Sequence, residues 1–157
     1  MSIITISRGS YSRGREVAEK LASQLGYECI SREIILEASK QFNIPQLQLL
    51  RAVRNAPSIL DRYRFGKERY VAYVRAALLQ RVQRGNVVYH GFAGHFFLQQ
   101  IPFALNVQVL ANPEDRIQEV IRRDRVSADE ARRTLARIDE ERSKWSRHLY
   151  GIDNRDP

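Results

Sequence analysis

The sequence predicts an α/β protein, three layers built around a mostly parallel sheet, in a single domain spanning residues 1–157. Two observations predict it. Short β-branched apolar runs alternate with longer stretches whose apolar residues recur at helical spacing, the pattern of strands joined by crossover helices. The chain also opens with one complete unit of that pattern. Ile3-Ile4-Thr5-Ile6 breaks into the polar loop Ser7-Arg8-Gly9-Ser10-Tyr11-Ser12-Arg13-Gly14. The loop feeds a helix carrying Val17, Ala18, Leu21, Ala22 and Leu25, closed by Gly26.

The remaining elements follow in order. Tyr27–Ile30 is a weak strand, and Ser31 can cap a helix running to about Phe42. Pro45 opens a further helix with Leu47, Leu50 and Val53 on its apolar side, whereas Arg54–Phe65, with Pro57 inside it, supports no assignment. From Lys67 to about Arg84 the spacing predicts a long helix ending at Gly85, with Tyr70, Val71, Val74, Leu78 and Val82 buried. Val87–Tyr89 and Leu105–Leu110 read as strands, the latter alternating Leu105, Val107 and Val109 with Asn106 and Gln108. Asn112-Pro113 starts the next helix, with Glu114 and Asp115 where the helix dipole favours acid. Ser127-Ala128-Asp129-Glu130 is a capping box, followed by Ala131, Leu135, Ile138, Trp145 and Leu149 at helical spacing. The polar end Asp153–Pro157 reads as a cut chain or a disordered edge.

Composition narrows the function classes. No apolar run approaches the roughly 20 residues that cross a bilayer, and no basic-then-apolar leader stands at the start. The single cysteine, Cys29, excludes an internal disulfide, fits a reducing cytoplasm and reads as a small buried residue. The formal charge of +8 is carried almost wholly by arginine, which holds phosphate through a planar bidentate fork. A polyanionic ligand or merely solvated arginine faces both account for that balance. The arginines are dispersed and lack an aromatic-basic stacking platform, which argues against a nucleic-acid polymer.

The first loop is the richest site. A strand, a glycine loop and a helix N-terminus in succession make an anion cradle from backbone N–H groups. Gly9 and Gly14 have the spacing G-x-x-x-x-G, but Arg15-Glu16 stands where that motif has lysine followed by serine or threonine. Ser10, Tyr11, Ser12, Arg13 and Gly14 are the candidate donors, with Arg13 and Arg15 as the charges. The best hydroxyl and carboxylate for magnesium are Ser12 and Glu16, although neither central strand ends in an acid. His90 reads either as a nucleotide hydrogen-bonding group or general base, or as a satisfied histidine at a strand end, and His95 as the same or a helix start.

Four segments in order resemble the cytidylate kinase-like family, within the nucleoside monophosphate kinase branch of the P-loop kinases. They are Ile4-Thr5-Ile6-Ser7-Arg8 through Gly14-Arg15-Glu16-Val17-Ala18; Ser31-Arg32-Glu33-Ile34-Ile35; Arg84-Gly85-Asn86-Val87-Val88-Tyr89-His90-Gly91; and Val107 through Ile117 to Ile138-Asp139-Glu140-Glu141-Arg142. The resemblance implies a three-layer P-loop kinase-like fold with a helical lid, with the family's C-terminal strand and last helix absent from this chain. It implies phosphoryl transfer from ATP with magnesium to CMP or dCMP, chemistry that is mostly positioning and charge neutralisation. On that reading catalysis falls to Arg13, Arg15 and Arg142, and acceptor binding to Arg32, His90, Gly91 and Phe92, with Arg75 either a further acceptor contact or a surface helix residue. Arg116, Arg122, Arg123 and Arg147 join Arg142 on the lid helices, with Asp139 one turn from Arg142 and able to pair with it.

The chain departs from the family pattern in two places. Tyr11-Ser12-Arg13-Gly14 stands for Gly-Ser-Gly-Gly, and each lost glycine restricts positive φ. His90-Gly91-Phe92 stands where relatives carry an acceptor arginine, and Phe92 cannot neutralise a phosphate. A non-catalytic nucleotide- or phosphate-binding module on the same scaffold is therefore the competing expectation. An open sheet edge left by a missing last strand would invite a homodimer.

Overall fold

In a computed structural model that describes residues 2–54, 67–91 and 93–151, the strands β1 (Ile3–Arg8), β2 (Glu28–Ile30), β3 (Val87–Tyr89) and β4 (Ala104–Val109) form one sheet in the order β2-β3-β1-β4. All three pairings are parallel. Most of the unassigned stretch after Arg54, Phe92 and the tail Asp153–Pro157 lie outside the described residues. β1 runs two residues past the expected Ile6 because β4 pairs with it along its whole length, from Ile3↔Ala104 to Arg8↔Val109. The ladder then continues into the loop, where the Gly9 N–H donates to the Val109 carbonyl at 3.2 Å.

Helices α1 (Gly14–Leu25), α2 (Glu33–Phe42), α3 (Gln46–Arg54), α4 (Lys67–Val82), α5 (Gly94–Phe97), α6 (Pro113–Asp124) and α7 (Ala128–Tyr150) surround the sheet. Because strand side chains alternate faces, each strand feeds two cores. On one face Ile4, Ile6 and Val88 pack on Ala18 and Ala22 of α1. On the other, Ile3, Val87 and Tyr89 join Ile34, Leu49, Val74, Leu78 and Phe97 from α2 to α5. A third cluster joins α6 and α7 through Ile117, Val120, Ala131 and Leu135. α7 also reaches the main core, where its Trp145 lies 6.3 Å from Phe96, centroid to centroid.

Several local expectations need correction. Ser31 does not cap α2; Arg32 is the N-cap residue without a side-chain bond, and the Ser31 N–H instead donates to Glu33 Oε2 at 2.8 Å. Leu47 is 58% exposed, and the buried face of α3 is Leu49, Ala52 and Val53, because α4 and α2 approach from that side. α5 meets the helix-start reading of His95, but its extent was not assigned, since four residues are too few to show a period. Its start is tight: a Cβ at Gly91 would stand 2.7 Å from the Tyr89 hydroxyl, and one at Gly94 would run into the same ring. The Ser127 cap is present, its hydroxyl accepting from the Glu130 N–H at 3.2 Å.

Candidate functional site

The loop between β1 and α1 closes on itself through Ser12, whose hydroxyl donates to the Gly9 carbonyl at 2.9 Å. Tyr11 and Arg13 both adopt left-handed backbone, with φ of 57° and 58°. These are the two positions where glycine was expected to be needed, so the substitutions kept the conformation and replaced only the residue. Left-handed turns on either side of Ser12, at the mouth of α1, are backbone of the kind from which successive N–H groups can form an anion nest. Holding two side-chain-bearing residues there costs about 1–3 kcal/mol each, which the surrounding contacts must offset.

Those contacts come from α6 and α7. Arg116, on α6, donates from Nε to the Ser10 carbonyl at 2.8 Å and from Nη2 to the Ser10 hydroxyl. The same guanidinium grips Asp139 of α7 at 2.6 and 2.8 Å, and the Ser10 hydroxyl donates to Asp139 at 2.7 Å. Asp139 thus pairs with Arg116, not with Arg142 as its spacing suggested. Tyr11 is held outside this knot: its hydroxyl donates to Asp124 at 2.7 Å, and Arg123 lies 5.2 Å over its ring. The Asp124 bond, helped by burial, raises the Tyr11 pKa. Between the loop and α6 lies a groove of about 340 Å³ lined by Tyr11, Ser12, Arg13, Asp115, Glu119 and Arg122.

The loop's own charges turn outward. Arg13 pairs with Glu16 at 3.0 Å and Arg15 with Glu19 at 2.7 Å, both on the exposed side of α1. Glu16 is therefore committed to Arg13, and Ser12, buried, to Gly9. As placed, the pair does not fit magnesium, and among the described residues no cluster of three acidic, histidine or cysteine side chains could hold a metal.

A second set of cations faces inward. Arg8, the last residue of β1, shares the α1-facing side of the sheet with Ile4 and Ile6 by alternation, and His90 shares it with Val88. Burial pushes the Arg8 pKa down, Arg32 and Arg15 push it the same way, and Glu19 opposes them. Arg142 donates from Nη1 to the Arg8 carbonyl at 2.7 Å. Although Arg142 is exposed by surface area, its surroundings displace enough water to lower its pKa, with Arg8 and Arg116 adding repulsion and Asp139 opposing it. His90 is 4% exposed, its backbone N–H donates to the Ile30 carbonyl at 2.9 Å, and its ring Nδ1 finds no partner among the described residues. Burial lowers the His90 pKa, and Arg8 and Arg15 lower it further, against Glu19 and Glu33.

Of the residues singled out from sequence, the loop residues 10–15, Arg32, His90 and Arg142 gather at the C-terminal ends of the strands. Arg75 lies exposed on α4, and no described contact ties it to the loop. Gly91 makes room for Tyr89, while Phe92 lies outside the described residues. Sequence reading missed Arg8. The one available signal was its place in the Ile4, Ile6, Arg8 alternation, which puts it on the α1 face directly before the loop.

Known proteins share this layout. The cytidylate kinase-like family model matches residues 3–157. A protein named cytidylate kinase from Ignicoccus hospitalis is 29% identical over 157 residues, covering 98% of this chain and 83% of the relative. The crystal structure of an uncharacterized protein from Eubacterium ventriosum superposes with a TM-score of 0.63 at 18% identity, over 99% of this chain and 82% of the other, a likeness of fold. With the family match running from the first strand to the last residue, this chain belongs to the cytidylate kinase-like family.

Proposed function

We propose that this protein transfers the γ-phosphoryl group of ATP to a nucleoside monophosphate of CMP or dCMP type. The observation that carries the reading is the left-handed pair Tyr11 and Arg13, which keeps an anion nest at the mouth of α1 without the usual glycines. The nest would hold the donor phosphates, and Arg142 and Arg116 would close over them from the lid helices. An oxygen of the acceptor phosphate forms the new bond to Pγ while the bond from Pγ to the β-bridging oxygen breaks. ADP leaves with that electron pair, and a dianionic acceptor needs no proton removed. Catalysis in such a transfer is alignment and charge neutralisation. Arg32 and His90 are the acceptor-side candidates. The family resemblance implies magnesium, but Ser12 and Glu16 do not fit as its holders and no step is assigned to it.

The outward pairing of Arg13 and Arg15 favours a second reading, a nucleotide- or phosphate-binding module without turnover. One assay separates the two: ADP release and thermal shift with ATP, ADP, CMP, dCMP and phosphate, with and without magnesium. Transfer dependent on both ATP and a monophosphate supports the kinase. A shift worth about 2.7 kcal/mol at a hundredfold excess over Kd, with no product, supports the binding module. The exposed β4 residues Leu105 and Gln108 lie on a strand that has no further neighbour among the described residues. Pairing of two copies there would appear as a dimer in sedimentation.

A further inference from the structure

We propose that Arg8 is the cation that touches the transferring phosphoryl group, in place of the lysine that the first loop lacks. This rests on the nucleotide reading above, and four observations lead to it.

The strand order β2-β3-β1-β4 reverses direction between β1 and β3, with α1 leaving on one face and α5 on the other. Open α/β sheets bind their ligands at the C-terminal ends of strands beside such a reversal. Arg8 ends β1 at that point. Second, Gly14 is the one glycine retained from the family's Gly-Ser-Gly-Gly, and it borders the Arg8 side chain. A Cβ at Gly14 would stand 2.7 Å from the Arg8 Cβ and 3.2 Å from its Cδ. The glycine opens the passage along which the Arg8 side chain runs past the start of α1.

Third, Arg8 forms no ion pair among the described residues, while Arg13 and Arg15 each have a glutamate. The neighbours that act on Arg8 are mostly cations, Arg32 and Arg15, and Arg142 docks on its carbonyl at 2.7 Å. A half-buried arginine with Arg32 and Arg15 acting on it, opposed only by the Glu19 that already pairs with Arg15, and with no ion pair of its own among the described residues, is arranged for an incoming anion. Fourth, His90 shares this face, is nine-tenths buried and presents an unpartnered Nδ1, a second polar group whose complement is absent from the described residues. A phosphoryl oxygen bound by Arg8 and facing a His90 N–H would satisfy both. Arg8 then bridges the donor side at the loop and the acceptor side at Arg32, where the equatorial oxygens of the transferring group carry the charge.

The test compares the full chain with Arg8→Gln, Arg8→Lys and Arg15→Gln, using ATP with CMP for turnover and nucleotide or pyrophosphate for thermal shift. Arg8→Gln should lose about 100-fold in kcat with KM for ATP changed by less than about threefold, and free guanidinium should restore part of it. Its melting temperature without ligand should stay level or rise, because a cation among cations has been removed. A merely structural arginine would lower the melting temperature and resist guanidinium rescue, which would overturn the assignment. Retention of kcat within threefold in Arg8→Gln alongside a larger loss in Arg15→Gln would also overturn it, and would leave the kinase reading standing. If the wild type binds nucleotide or pyrophosphate without turnover, the kinase reading fails and the shift decides. Loss of that shift in Arg8→Gln supports Arg8 as the anion contact, and its persistence overturns the inference. A wild type that responds to none of these probes overturns both.

Discussion

The outer rim of α1 and the inner floor beneath it use the same residue type to opposite ends. On the rim, Arg13 and Arg15 lie one turn from Glu16 and Glu19, mostly in solvent, as Arg132 and Arg137 do beside Asp129 and Glu141 on α7. Such pairs are worth a few tenths of a kcal/mol and mainly cancel charge. On the floor side, Arg8 and, reaching it from α7, Arg142 form no ion pair among the described residues, and the loss of water lowers the pKa of each. The lesson is that a net charge of +8 says little about where an anion goes; the distribution of partners says more. The pairs on the rim of α1 offset Arg13 and Arg15, whereas Arg8 has no ion pair among the described residues.

The sharpest way to break that comparison is Arg142→Gln. If the floor does the chemistry, phosphoryl transfer falls about 100-fold, roughly 2.7 kcal/mol of barrier, measured as ADP release. An equal loss from Arg15→Gln, which should cost less than about tenfold, would erase the distinction between floor and rim. Gly14→Ala comes next. The added methyl meets the Arg8 stem and should cost about 1–3 kcal/mol in urea denaturation, with Arg8 displaced. A neutral result would mean that Arg8 does not need the passage.

The floor should also be visible in pH dependence. His90 has its pKa depressed in the folded chain by burial and by Arg8 and Arg15, against Glu19 and Glu33. The unfolded state therefore takes up a proton first as pH falls below about 6.5, and stability declines from there down to the folded pKa, levelling below it. His90→Gln should flatten that slope in melting curves below about pH 6.5, and an unchanged slope would remove His90 from the floor. Smallest of all, Arg132→Ala and Arg137→Ala should each change stability by less than about 0.5 kcal/mol and leave transfer unaltered.

Much of this was legible in the chain. β3 is matched at both ends, and β1, β2, α1, α4, α6 and α7 are matched within a few residues, because their signals are local: β-branched runs, Asn112-Pro113, Ser127 and Gly85. The α3 face was misjudged because Leu47, Leu49 and Leu50 are equally apolar, and only the approach of α4 decides which is buried. The site was legible as a loop but not as a charge arrangement. Glycine loss at Tyr11 and Arg13 suggested a damaged nest, yet both residues hold positive φ, Tyr11 tied to Asp124 and its neighbour Ser10 to Arg116 and Asp139, more than a hundred residues away, and Arg13 paired with Glu16. The isolation of Arg8 depends likewise on Arg32, His90 and Arg142, which no window around it contains.

α7 joins the cluster beneath the lid to the main core in one unbroken helix, with Asp139 at the loop and Trp145 two turns on, against Phe96. Trp145 is the only tryptophan, and its Nε1 donates to the Ala52 carbonyl at 3.5 Å. The protein therefore carries its own fluorophore on the helix whose Asp139 holds the loop, and a change in emission on adding phosphate is the unlabelled readout of occupancy there.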